Sequence, residues 1–127
     1  MWLNFLFKKK SLKRSISTST VRNIEKDWVN INILLSQKRP SQLRQALISA
    51  DKSLDNALRD VVEGELMGER LKAGKDLFDR DMYNRIWEAH KLRNTLVHES
   101  GFEPPYFVVT EAIQNLRNAL YVLGVKV

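Results

Sequence analysis

Residues 83–99 read YNRIWEAHKLRNTLVHE and contain both histidines of the 127-residue chain. Trp87, His90 or Lys91, Asn94 and His98 recur every three or four residues, the spacing that stacks side chains along one face of an α-helix. The stretch is therefore expected to be a helix whose His90, Asn94 and His98 rise as a polar ridge. Upstream, Asp79 and Asp81 suit the positive end of a helix dipole. Downstream, Gly101 and the Glu103-Pro104-Pro105 turn mark its end.

The same periodicity extends outward on both sides. Val21, Ile24, Trp28, Ile31 and Leu34 or Leu35 predict a first helix from about Val21 to Leu35, with Thr20 as its N-cap. Leu43, Ala46, Leu47, Ala50, Leu54, Ala57, Leu58 and Val61 predict a second from Ser41 to about Val62, ended by Gly64. Between Gly64 and Phe78 the glycines leave room for a short helix around Glu69 to Ala73. A last helix is expected from Val109 or Thr110 to Leu123. The patch Tyr106 to Val109 is too short and too close to the prolines to form a strand. Four main helices on short connections define an all-α, four- to five-helix bundle.

Six of the 21 basic residues precede the first acid, Glu25, leaving 15 basic residues against 15 acids in the remainder. Five of those six lie in an N-terminal arm, residues 1–20, and the domain from residue 21 to 127, which includes Arg22, is close to neutral with 16 basic residues against 15 acids. A basic chain invites nucleic acid or an anionic surface as partner, but here that argument applies to the arm. The arm opens on an apolar tip with Trp2, Phe5 and Phe7, followed by Lys8, Lys9 and Lys10. That order reverses a secretory signal, and the apolar run is far below the ~20 residues that span a bilayer. It suits three fates: a solvated tail, attachment to a membrane surface, or a nucleic-acid arm. Without cysteine there are no disulfides, thiolate metal sites or cysteine nucleophiles, in keeping with a reducing, cytoplasmic setting.

Several chemistries are excluded by spacing. Gly68 and Gly74-Lys75 have five residues between the glycines, Asp76 after the lysine and no preceding strand, so they are not a phosphate-binding loop. His90 and His98 lie about 12 Å apart along a helix axis, too far for a helical zinc pair. No serine sits in a nucleophile elbow. Asp51 and Asp55 share a face of the second helix, and Asp55 stands four residues before Arg59 in the favourable order for a helical ion pair, so a solvated or structural role is expected for both.

What the ridge can serve is chemistry in which RNA supplies its own nucleophile. Attack by a 2′-hydroxyl needs an acid or base titrating near neutrality and a cation for the phosphorane charge. His98 could do the first and Arg93 the second. At about 100° per residue the two point roughly 140° apart on one straight helix, so two copies meeting across a two-fold axis make a better site than one. Arg93-Asn94-Thr95-Leu96-Val97-His98 resembles the Arg, polar residue, spacer, His signature of the HEPN superfamily, all-α domains of prokaryotic toxins, defence nucleases and associated proteins. The resemblance covers about residues 21 to 124. It implies a HEPN-like homodimer with the motif helices facing each other and, in active members, a metal-independent endoribonuclease that needs no cofactor. Arg93 would contact the scissile phosphate, Asn94 would orient it or the helix, and His98 would act as acid or base. His90 and Glu99 lie outside the signature, as neighbours that could tune His98. Other members are binding or scaffold modules.

Two readings follow. One is a dimeric RNA-binding or RNA-cleaving protein of toxin or defence type, with a cognate antitoxin or another protein as partner. The other is a catalytically silent helical dimerisation module, held at the inner membrane surface by its arm. Occupation of Arg93 and His98 by intramolecular partners such as Asp51 or Asp55 would favour the second.

Overall fold

The second long helix is the axis of the structure because nearly every turn of it is buried. The computed structural model describes residues 15–127; the apolar tip and lysine cluster, with the three fates open to them, lie outside the described residues. Within these residues there are five α-helices and no strand: α1 Thr18–Gln37, α2 Pro40–Val61, α3 Met67–Ala73, α4 Arg80–His98 and α5 Tyr106–Val122, with a 3-10 turn Lys75–Leu77 before α4. The expected all-α bundle is the one observed. Leu43, Ala46, Leu47, Ala50, Leu54, Ala57, Leu58 and Val61 of α2 are buried, and α2 packs against α1, α3, α4 and α5.

The helix ends follow from local chemistry. Ser17, one turn earlier than the expected Thr20, caps α1: its side chain accepts from the Thr20 N–H at 3.1 Å. Ser17 is held there because its own N–H donates to the Asp60 carboxylate at 2.9 Å and Ile16 packs on the core, so the folded body starts about five residues before the expected boundary. Lys38 ends α1 in the left-handed region, with φ 56°, and Pro40 begins α2 where its missing N–H costs nothing. Asp79 caps α4 by accepting from Met82 N–H at 2.7 Å. Glu69 accepts from the N–H groups of Glu65 and Leu66 at the start of α3, and these bonds hold its carboxyl below the usual value.

The last helix starts three residues earlier than expected. Tyr106 to Val109 forms its first turn, since Pro105, with φ −56°, already has the backbone angle of a helix entry and Val109 is drawn into the core. Gly124, with φ 94°, closes α5 as the Val125 N–H returns to Leu120 and the Gly124 N–H to Tyr121.

Polar ties lock the helices in register. On α1 the buried Trp28 indole donates to Ser53 Oγ of α2 at 3.0 Å, and Ser53 donates on to Ala50. The Arg117 guanidinium of α5 lies 4.7 Å from the Trp28 ring centroid and donates to Asn32. From α3 the buried Arg70 grips Asp55 of α2 with two bonds, 2.6 and 3.0 Å, and donates a third to Gly64 at 2.7 Å. The expected Asp55–Arg59 pair is present but longer, at 3.6 Å. Arg70→Ala strands the Asp55 carboxylate and frees α3, and is expected to cost about 3–5 kcal/mol in urea unfolding. A loss below ~1 kcal/mol would show that α3 is not held by this pair.

Candidate functional site

The polar ridge of α4 faces two ways. Its first half turns inward to α2: His90 Nδ1 lies 3.1 and 3.2 Å from the two oxygens of Asp51, whose side chain is 4% exposed. Asn94 is one turn on, with Nδ2 3.5 Å from His90 Nε2, and its Oδ1 accepts from Arg93 Nη1 at 3.0 Å. The directions of these bonds are mutually consistent with a single assignment. In it His90 donates from Nδ1 to Asp51 and accepts at Nε2 from the Asn94 amide, whose oxygen in turn accepts a hydrogen bond from Arg93. Arg93 Nε sits 3.7 Å from Asp51 Oδ2, too long for a hydrogen bond, and is buried with no hydrogen-bond partner. Its side chain remains 31% exposed.

His98 belongs to the other half. It is the last residue of α4, exposed, and without a hydrogen bond or ion pair among the described residues. The carbonyl of Leu96, in the same turn, is taken by Arg44 of α2, which fixes the helix end against the bundle. Of the residues singled out in the sequence, the fold thus joins Arg93, Asn94 and His90 with Asp51, and leaves His98 apart. His90 bonds Asp51 and Asn94, two turns away from His98, and the structure gives it no contact through which to tune that residue. Glu99 is exposed and contributes its backbone N–H to Thr95.

Asp51 is buried and bonded, so of the two roles expected for it the structural one holds and the solvated one does not. Its connection to α4 joins residues 39 positions apart. No helical spacing encodes that contact; the sequence signal was only that a carboxylate stood on the apolar side of α2 between Ala50 and Leu54.

Around the α4–α5 connection the surface is apolar: Val97 and Phe102 are about two-fifths exposed, Tyr106 is about half exposed and Phe107 is 66% exposed. A cavity of about 510 Å³ opens beside it, between Lys38 and Arg44 on one wall and Leu96, Phe102, Pro105 and Tyr106 on the other. Among the described residues no group of three or more His, Asp or Glu could hold a metal ion, and no helix is long and apolar enough to cross a membrane.

Comparison of the chain with protein-family models, with curated proteins and with solved structures finds no match in any of the three.

The network makes a stability prediction that separates the two halves of the ridge. Asp51→Asn, which removes the charge facing His90 and Arg93, should lower unfolding free energy by about 1.5–3 kcal/mol. His98→Ala, at an exposed and unpartnered position, should stay within ~0.5 kcal/mol. Equal losses at the two positions in chemical denaturation would contradict the assignment of Asp51 and His98 to different roles.

Proposed function

We propose that this chain is a HEPN-like helical domain that acts on RNA as a dimer, with Arg93, Asn94 and His98 forming a metal-independent endoribonuclease site. The observation that carries this reading is the contrast within one helix. Arg93 and Asn94 are fixed from behind by Asp51 and His90, while His98 is exposed and unpartnered five residues on. A guanidinium held by its protein-facing side keeps its other N–H groups for a phosphate, and an immobilised cation needs no reorganisation when charge develops. An imidazole without a protein partner keeps both ring nitrogens available to give or take a proton, as acid–base work requires.

In this reading His98 takes the proton of the RNA 2′-hydroxyl or returns one to the departing 5′-oxygen. The 2′-oxygen attacks the adjacent phosphorus, the bond to the 5′-oxygen breaks, and a cyclic phosphate remains. Arg93 stabilises the charge on the phosphorane. Arg93 and His98 of one helix point apart, so the site is completed by a second copy, and the exposed Val97, Phe102, Tyr106 and Phe107 around the α4–α5 connection provide apolar surface for that contact.

A second reading has its own support. The nearness of Asp51 to Arg93 offsets part of the cation's charge, and the chain beyond its N-terminal arm carries nearly equal numbers of basic and acidic residues. Both features suit a silent dimerisation or protein-interaction module. Incubation of the purified protein with total RNA in EDTA separates the two readings. The nuclease reading expects cleavage that falls at least about 100-fold in His98→Ala and in Arg93→Ala. Intact RNA in the presence of a folded wild-type dimer would leave the silent module.

A further inference from the structure

One face of α4 packs the inner parts of Tyr83 and Trp87 on the core and leaves the rest of both rings half-exposed at the surface. Trp87 forms the wall of an open groove of about 670 Å³ together with Asn84, Glu88 and Lys91 of α4 and Lys72 of α3. Tyr83 stands edge-on to Trp87, with ring centroids 6.4 Å apart and planes at 81°. Trp87 in turn stands edge-on to His90, at 5.9 Å and 69°. The Lys75 ammonium is 6.0 Å from the Tyr83 ring centroid, and the Lys91 ammonium is 6.0 Å from that of Trp87. Lys72, Lys75 and Lys91 are exposed, and none of them forms an ion pair among the described residues. The folded body is close to neutral as a whole, yet Lys72 and Lys91 line the groove with Trp87 against the single groove acid Glu88, and Lys75 stands over the neighbouring Tyr83 ring.

We propose that this face binds single-stranded RNA, with a base stacked on the Trp87 indole and the lysines on flanking phosphates. The inference rests on the RNA reading above and adds the form of the substrate and its path. Aromatic rings among cations are the chemistry by which proteins hold unpaired strands, because each base offers a π-face and each nucleotide a phosphate. Duplex bases are already stacked on their neighbours and cannot use an indole in this way. The path leads to the site: Asn94 is seven residues beyond Trp87, about 10.5 Å along the axis, and His90 lies between them in contact with both. An acidic peptide would be drawn to the lysines equally well but would make no use of the part of the indole that lines the groove.

The test is fluorescence anisotropy with a labelled, unstructured single-stranded RNA of about 16 nucleotides, using the full chain in the His98→Ala background so that the probe is not consumed. Trp87→Ala should weaken binding about tenfold and Trp87→Phe much less. Lys72→Ala with Lys91→Ala should lower the slope of log affinity against log salt by about 0.7 for each lysine removed. Glu88→Gln should tighten binding. A duplex of the same length should bind more weakly than the single strand. If Trp87→Ala fails to fold, the exposed lysine pair and Glu88→Gln carry the test alone. The inference is overturned if these variants bind within twofold of their parent, if duplex binds as well as single strand, if polyglutamate displaces the RNA at equal charge, or if only Lys8, Lys9 and Lys10 replacement abolishes binding. Strand binding of the expected kind by a wild-type protein that leaves RNA intact would support the track and remove the nuclease reading. Cleavage dependent on His98 but indifferent to Trp87 and the lysines would do the reverse.

Discussion

Two buried or nearly buried carboxylates on one central helix impose the condition that the rest of the bundle meets. α2 is enclosed by four other helices, and Asp51 and Asp55 sit one turn apart along it. A carboxylate removed from water is costly unless charge or hydrogen bonds reach it, so each needs donors from a neighbouring element. Asp55 draws them from α3, through the forked guanidinium of Arg70, and Asp51 from α4, through His90 with Arg93 beside it. Apolar packing alone would let α3 and α4 slide or rotate on α2. The two carboxylates specify a register, and for α4 that register decides which way Arg93 and Asn94 face.

The two arrangements differ in how completely they are satisfied. Arg70 is buried, bidentate to Asp55, and spends a third donor on Gly64, which is the geometry of a finished structural pair. Arg93 touches the same kind of acid at 3.7 Å, with a buried Nε that has no hydrogen-bond acceptor and a side chain about one-third exposed. The sequence presents both as an arginine somewhere beyond an aspartate on α2. Only the geometry separates an arginine whose three nitrogens all donate to protein oxygens from one that is partly exposed with a single hydrogen bond, and a phosphate oxygen is the kind of acceptor its exposed N–H groups fit.

The fold was legible where burial is periodic. Every long helix has apolar residues every third or fourth position, and the bundle follows from that pattern together with the proline and glycine stops. The errors lie at the ends, where one hydrogen bond outweighs pattern. Ser17 replaces Thr20 as cap because Asp60, 43 residues away, accepts its N–H, and Tyr106 opens α5 because Pro105 presets the backbone rather than delaying the helix. The candidate site was legible in part for a related reason. Arg93, Asn94 and His98 are read from one short stretch of one helix, whereas Asp51 meets His90 across 39 positions and Lys72 meets Trp87 across 15, and helical spacing carries no information about either meeting. Overall charge balance misled in the same way: counting 15 against 15 describes the chain from Glu25 onward but not the groove beside Trp87.

The geometry of α4 also limits what a single copy can do. Its ridge turns through the helix so that His90 and Asn94 face α2 while His98, at the last turn, faces solvent. Straightening Arg93 toward His98 would forfeit the Asn94 bond and move the guanidinium away from Asp51, leaving a buried carboxylate with one donor fewer. A site using both residues therefore gains more from a second copy, whose His98 can approach a stationary Arg93, than from motion within one chain. The anchor that fixes Arg93 and the exposure that frees His98 are thus complementary requirements: one group must stay in place and the other must be reachable, and α4 meets both by ending where its burial ends.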